Sequence, residues 1–442
     1  MTAKTRISPA TSESLYERAL DVLPGGVSRN TVLRAPHPLY AAFASGCRVT
    51  DIEGVEHIDF ANNMASLIHG HSHPAIIGAV KEQLDRGTAF TVGTEIEIRY
   101  AEHLSGRNPS FEKLRFVNSG TEAVMASLKA ARAFTGRTKI AKVEGAYHGL
   151  YDYAEVSQTA NPSNWGSDDH PSSVPVAAGT PASVLEDVVV IPFNDTAHAI
   201  AILNEHRGEL AGLVLDLMPH RVGLNPAAPE FVTALREWTA VDGALLIIDE
   251  VITFRAEYGG AQEWYGVRPD LTAMAKVIGG GFPAGAIAGR SDVMDVMNPL
   301  ADKLLFPHSG TFSANPVTMT AGLVAMELFD RAEVARVNGL AQRAMEGIDE
   351  AIRSTGATAC VTGGGSMFRV HLKARPPMNY REAFATPEEA ARLRLLLEHL
   401  FAEGFIMINT GSATISTPMG EAEIDALVAA MGRGLVKVAA TE

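Results

Sequence analysis

The sequence predicts an α/β protein: a mostly parallel central sheet flanked by helices, with a smaller α+β domain made from the N- and C-terminal parts. Three observations lead there. Between residues 114 and 290, short apolar runs (LRFV, KIAKV, VVVIPF, LAGLVL, ALLII) alternate with helical stretches, the pattern of parallel strands joined by helical crossovers. Several of those runs are apolar throughout, as strands buried on both faces are. After about Asp330 the pattern changes to long amphipathic helices with short strands at GSMFRVHL and TISTPM. The expected divisions are 1–68 for the N-terminal segment of the small domain, 69–328 for the large domain and 329–442 for the C-terminal small domain.

Composition narrows the function classes. A chain of 442 residues, 46% of them hydrophobic, can bury a large core. Its net charge of −14, from 37 basic and 51 acidic residues, and the absence of a basic run argue against binding nucleic acid. Two cysteines far apart, Cys47 and Cys360, indicate neither a disulfide framework nor a zinc site and fit a reducing cytoplasm. No run of 18 or more apolar residues exists, and the start, MTAKTRISPATSES, lacks the apolar core of a secretion signal. A soluble, cytoplasmic protein with no membrane partner is the expectation.

Taken in order, residues 12–23 have helical apolar spacing from a Ser start to a stop at Pro24-Gly25-Gly26. A turn at Glu53-Gly54 separates two alternating runs and predicts a hairpin. His69, His71 and His73 alternate before Pro74. Period two would put them on one side of a strand, but no neighbouring acid or cysteine completes a metal site, so a turn opening the Pro74 helix is expected and no metal. LRFVNSGTEA reads as strand, small turn and helix. Its Ser119, Gly120 and Thr121 either face an anion at the helix N-terminus or only cap it. Tyr147 and His148 end the next strand, where their rings can stack on a flat ligand or pack as core. The Ser-, Pro- and Asn-rich segment from Tyr151 to Glu186 is a candidate lid. A helix is expected from Glu230 to Val241. AGAIAGR after Lys276 reads as a further strand, and Gly310-Thr311 as a second hydroxyl-bearing turn before a helix.

The chemistry concentrates between Ala244 and Gly281. The apolar run Ala244 to Ile248 ends in Asp249, and open α/β sheets carry their sites at the carboxyl ends of such strands. About one crossover later, Lys276 stands in the apolar segment TAMAKVI before three glycines. Burial disfavours the charged amine, and a neutral amine attacks carbonyl carbon, so such a lysine carries Schiff bases. With an upstream buried acid to keep a pyridine nitrogen protonated, the pair points to pyridoxal 5'-phosphate.

SGTEA at Ser119, EGAYHG at Glu144, DEV at Asp249, AKVIGGG at Lys276 and GTFSANP at Gly310, with PGGV near the start and GHSHP at Gly70, resemble the class III, fold type I, pyridoxal-phosphate aminotransferases over nearly the whole chain. Within them the chain most resembles the glutamate-1-semialdehyde aminomutase branch, which also holds β-amino acid aminotransferases. The resemblance implies a Schiff base and proton shuttle at Lys276 and a pyridinium partner at Asp249. It implies ring faces covered by Val251 and by Tyr147 beside His148, and a phosphate held by Ser119, Gly120 and Thr121. Thr311 would reach that phosphate from the second subunit of a homodimer. Arg29, with Arg34 as a second candidate, matches an arginine that grips a substrate carboxylate. Where the family has Val-Glu-Pro this chain has Leu215-Asp216-Leu217, which puts Asp216 near the cofactor. Where aminomutases have Ser-Trp it has Asn63-Met64, which puts Met64 against the substrate and weakens the mutase reading. The Thr410-Gly411-Ser412 region lacks the other arginine of β-phenylalanine-type enzymes. The expected activity is ping-pong transamination from an amino donor bearing a carboxylate, a β-amino or unusual amino acid, to a keto acid. Intramolecular amino transfer is the alternative.

Overall fold

Glu53-Gly54 closes a hairpin as its turn chemistry requires. Strands β1 (Ala41–Ser45), β2 (Arg48–Asp51) and β3 (Glu56–Asp59) run antiparallel in that order. The computed structural model describes residues 10–441, so most of the stretch read for a secretion signal lies outside them. The first helix spans Ser12–Leu20 rather than 12–23, and Thr11, not Ser12, caps it. Ser12 is unavailable as a cap because its N–H and hydroxyl both donate to Glu53, at 2.6 and 2.9 Å.

The alternating middle of the chain supplies β4 (Lys113–Val117), β5 (Lys139–Val143), β6 (Val188–Ile191), β7 (Leu210–Leu215), β8 (Leu245–Asp249), β9 (Leu271–Ala275) and β10 (Gly285–Gly289). They form one sheet in the order β4-β10-β9-β8-β7-β5-β6. Neighbours among β5 to β9 are parallel, and β10 alone runs antiparallel to its neighbours β9 and β4. Every residue of β6 through β10 is buried, which is why these runs read as continuously apolar. Helices Gly120–Thr135, Thr196–Glu205 and Pro229–Asp242 connect strands of the sheet. Because β4 points the same way as β5 to β9, the residues following Val117, Val143, Leu215, Asp249 and Ala275 gather at one edge.

The two ends of the chain meet in the smaller part. Strands β11 (Cys360–Gly364), β12 (Met367–His371) and β14 (Ser412–Thr414) form one sheet, while β13 (Phe405–Ile406) pairs in parallel with β3. A single apolar cluster runs through Phe60, Phe254, Met274, Phe368, Leu400 and Leu427, so the two parts share a core. The strand read at TISTPM is displaced to Ser412–Thr414. The chain leaves the sheet at Ile415, whose carbonyl is taken by the fully buried guanidinium of Arg255. The same side chain donates to Ser366 Oγ at 2.8 Å and to the Ala65 carbonyl at 3.1 Å.

One expectation changes. The segment Tyr151–Glu186 is fastened down rather than free as a lid: Val156 and Ser157 are buried, and Lys142 Nζ donates to the Val156 carbonyl at 2.8 Å. The Tyr380 hydroxyl holds the Ala160 carbonyl at 2.7 Å and Arg381 holds that of Trp165 at 2.7 Å. Its polar composition is used on anchors from the small domain, partners invisible in the local sequence. The alternating histidines form the turn that opens the Pro74 helix, as expected, each with its own surroundings and with the His69 and His73 rings 5.4 Å apart. His69 Nε2 lies 2.8 Å from the Ala325 carbonyl, His71 Nε2 lies 2.9 Å from Asp59 Oδ2, and His73 stands at the N-cap of the helix Pro74–Leu84.

His371 in β12 gives a stability test. Its Nε2 lies 2.9 Å from Thr362 Oγ1 and 3.0 Å from the Gly223 carbonyl, and burial lowers its pKa from 6.5 to about 3. The unfolded chain therefore binds the proton first, so stability is full above the unfolded pKa and is lost as pH falls through the window below it. That loss is about 1.4 kcal/mol per pH unit. In urea titrations between about pH 6 and about pH 4, His371→Gln is expected to flatten the decline by that amount; an unchanged slope would contradict the assignment.

Candidate active site

The sheet edge assembles the groups that the linear sequence scatters. Asp249 ends β8, is 3% exposed, and its Oδ1 accepts the Val251 N–H at 2.9 Å. Its other oxygen, Oδ2, lies 2.7 Å from His148 Nδ1. Burial lowers the His148 pKa, so the ring is neutral and donates Nδ1–H to the carboxylate. Tyr147 and His148, read from sequence as adjacent rings, thus take different places: His148 is buried behind Asp249, while Tyr147 is 45% exposed. Glu250 turns the other way, accepting the N–H groups of Ala261 and Gln262 at 3.1 and 2.9 Å. One of the two acids is therefore a cap and the other faces the site.

Lys276 follows β9 at the start of the single turn Lys276–Gly279, with φ of +53°. A left-handed conformation in a residue with a side chain costs of order 1 kcal/mol or more and is typical of functional positions. Burial lowers the pKa of its amine, while the nearby carboxylates of Asp249 and Asp216 act to raise it. Asp216, immediately after β7, accepts the Met218 N–H at 2.9 Å. Burial and then the charge of Asp249 push its carboxyl well above the usual range. One amine and two acids, from three neighbouring strands, thus sit within each other's fields.

Beside them lies an anion cradle. The helix Gly120–Thr135 begins after β4, and the Ser119 hydroxyl accepts the Glu122 N–H at 3.2 Å, so Ser119 is a cap as well as a candidate ligand. The Gly120 and Thr121 N–H groups, on the first turn, have no intrahelical acceptor. Gly120 lets the helix come close to Val251: a Cβ there would stand 2.9 Å from Val251 Cγ1 and in contact with Ala275 Cβ at 3.5 Å. Gly149, at φ +94°, passes so close that a Cβ would stand 2.7 Å from Thr121 Oγ1. The Ser119–Thr121 turn is thereby packed against the residue before Lys276, the Val251 side chain and the segment after Tyr147. A flat ring with an anionic arm fits this set: helix N–H groups for the arm, an amine and a carboxylate for the ring. Thr311 is exposed in the loop that precedes the helix Pro316–Leu328, beside Gly310, where a Cβ would stand 3.6 Å from Asn118 Nδ2.

On the open side, residues Asn62, Asn63, Met64 and Ala65 all have positive φ, from +45° to +68°, a left-handed turn built without glycine. It is held at one end by Asn62 Nδ2, which donates to the Thr414 carbonyl at 2.8 Å, and at the other by Arg255. Arg29 is exposed and donates to Asn63 Oδ1 at 2.6 Å, which brings it beside Met64. Arg34, the second candidate, does not share that place: its guanidinium stacks on the Phe401 ring at 3.2 Å. Sequence reading missed a further cluster, in which His220 Nε2 lies 3.1 Å from Thr410 Oγ1 and Arg369 donates to the carbonyls of both His220 and Thr410 at 3.0 Å. Burial first, then the charges of Arg369 and Lys276, lower the His220 pKa to about 3.

Asp216 supplies the test of these electrostatics. A carboxyl whose folded pKa lies above 3.8 contributes stability that is present below that value and is lost as pH rises. In the cofactor-free protein at about pH 8, Asp216→Asn is therefore expected to gain about 1 kcal/mol or more in urea unfolding, with the gain shrinking toward about pH 4. A variant less stable than the parent at pH 8 would contradict the arrangement.

Comparison with known proteins agrees with this geometry. A family model described as class-III aminotransferase matches residues 32–423. A glutamate-1-semialdehyde 2,1-aminomutase from Archaeoglobus fulgidus is 37% identical over 380 residues, covering 86% of this chain and 88% of the relative. An omega-transaminase of solved structure from Sphaerobacter thermophilus is 46% identical with a TM-score of 0.95, covering 98% of this chain and 99% of that one. A solved transaminase with PLP bound is 41% identical with a TM-score of 0.90, again covering 98% and 99%. The chain belongs to the class-III aminotransferases.

Proposed function

We propose that the protein is a pyridoxal-phosphate-dependent transaminase that moves an amino group from a carboxylate-bearing amine, a β-amino acid or an unusual amino acid, to a keto acid. The observation that carries the reading is the desolvated amine of Lys276 standing with the buried acids Asp249 and Asp216 beside the Ser119–Thr121 cradle. When bound, the cofactor supplies an aldehyde that condenses with amines and a pyridinium ring that withdraws electrons from the substrate carbon.

The chain's own residues do the rest. Lys276, whose amine burial makes easier to deprotonate, would hold the cofactor and move a proton to and from the substrate carbon. Asp249 would keep the ring nitrogen protonated, and His148 fixes that carboxylate by its 2.7 Å contact. Val251 and Tyr147 would flank the ring, and the Gly120 and Thr121 N–H groups with the Ser119 and Thr121 hydroxyls would hold the phosphate. Asp216 stands one residue past β7, where its raised pKa lets it carry a proton near the reacting groups. Arg29 takes the substrate carboxylate with Met64 as an apolar wall. Thr311, exposed in this chain, would complete the phosphate site of a second copy. Exposed Phe312, Ile98 and Val92 give that homodimer apolar surface to cover. The reading places the dimer in the cytoplasm, in keeping with two buried free cysteines, and no helix among the described residues is long and apolar enough to cross a membrane.

Two half-reactions test this. Loaded protein incubated with an amino donor should lose its visible absorbance, and after removal of the donor a keto acid should restore it. Failure of every keto acid, with turnover of glutamate-1-semialdehyde alone, would replace transamination by intramolecular transfer. Asp249→Asn should retain bound cofactor but slow the donor half-reaction by about a hundredfold or more, because the ring nitrogen loses its partner. Near-parental rates would remove Asp249 from the mechanism.

A further inference from the structure

Arg221 has no part in the reading above, yet its place in the fold gives it one. It follows Asp216 by five residues, on the single turn His220–Val222 that carries the chain away from the sheet edge after β7. That turn is held firmly. Arg369 binds the His220 carbonyl at 3.0 Å, the His220 ring meets Thr410 at 3.1 Å, and Thr362 Oγ1 donates to the Gly223 carbonyl at 2.6 Å. Arg221 itself projects from this platform as an exposed residue between two fixed ones.

The segment Tyr380–Ala383 packs against the His220–Val222 turn. The ring of Tyr380 also lies against the turn leading to Tyr147, where a Cβ on Gly145 would stand 2.0 Å from Tyr380 Cδ2. Burial raises the pKa of both phenols, and the Arg221 guanidinium, hydrogen-bonded to Tyr380 and near Tyr147, acts against it. What the neighbourhood lacks is an anion for it. Glu144 is already gripped by Arg381 through two 3.0 Å contacts, and Arg221 forms no ion pair among the described residues. A guanidinium presented by a rigid backbone beside an aromatic ring, with no carboxylate of its own, matches a planar bidentate anion.

We propose that Arg221 is a second carboxylate receptor of the substrate pocket: beside Arg29, it binds the carboxylate of donor and acceptor from the Tyr147 side. The proposal rests on the transaminase reading for its substrates, and it deepens that reading by making the carboxylate the selected group. Arg29, whose guanidinium also donates to Asn63 Oδ1, keeps its place beside Met64.

The test separates binding from turnover. Calorimetry with 3-phenylpropanoate, a carboxylate without an amine, is run on the cofactor-loaded parent, Arg221→Gln, Arg221→Lys and Arg29→Gln. Arg221→Gln should weaken binding about tenfold or more, Arg221→Lys by less, with the visible absorbance of all variants unchanged. In kinetics, Arg221→Gln should raise KM for a β-amino acid by a similar factor while leaving its kcat, and both constants for the matching amine without a carboxylate, within about twofold. Equal losses for both donors, undiminished binding of the probe, or a loss confined to Arg29→Gln would overturn the assignment. If the parent binds the probe through Arg221 but transfers no amino group, the transaminase reading fails and the receptor stands.

Discussion

The structure depends on keeping one amine dry among carboxylates. Lys276 is placed by the end of a wholly buried strand, and burial draws its pKa down while Asp249 and Asp216 draw it up. Neither force alone makes a useful group: a freely solvated lysine stays protonated, and an isolated buried one has nothing to exchange protons with. The large sheet settles this balance because parallel strands deliver three side chains to one edge, and the helix Gly120–Thr135 closes the space with N–H groups rather than with another side chain. Gly120 is the compromise that lets it come so near Val251 and Ala275.

Strain collects at the same place. Lys276 and the four residues Asn62–Ala65 all hold left-handed backbone without being glycine. Each is over-determined by its surroundings: Lys276 by the β9 register and the turn behind it, the Asn62–Ala65 turn by Thr414 and by the buried guanidinium of Arg255. Arg255 joins the N-terminal layer, the sheet edge and the C-terminal part through three acceptors, so the substrate side of the site is built from all three at once.

Much of this was legible in the linear chain. Continuous apolar runs foretold the parallel sheet because burial on both faces removes alternation. The Lys276 and Asp249 pair was visible because a charge in an apolar segment needs a reason. Less could be read where partners lie far away in sequence. That His148 supports Asp249, 101 residues on, leaves no local mark, and neither does the pinning of Tyr151–Glu186 by Tyr380 and Arg381. Arg34 and Arg29 look alike in sequence, and only their distant partners, Phe401 and Asn63, tell them apart. Arg221 went unnoticed because an arginine in a polar turn carries no signal until the turn is seen beside Tyr147.

The most direct measurement is chemical trapping. Loaded protein is reduced with borohydride, digested and mapped by mass. The account predicts a pyridoxyl group on the peptide containing Lys276 and on no other, with Lys276→Ala folded but lacking a reducible chromophore. A label on another lysine, or a Lys276→Ala protein that keeps such a chromophore, would contradict it.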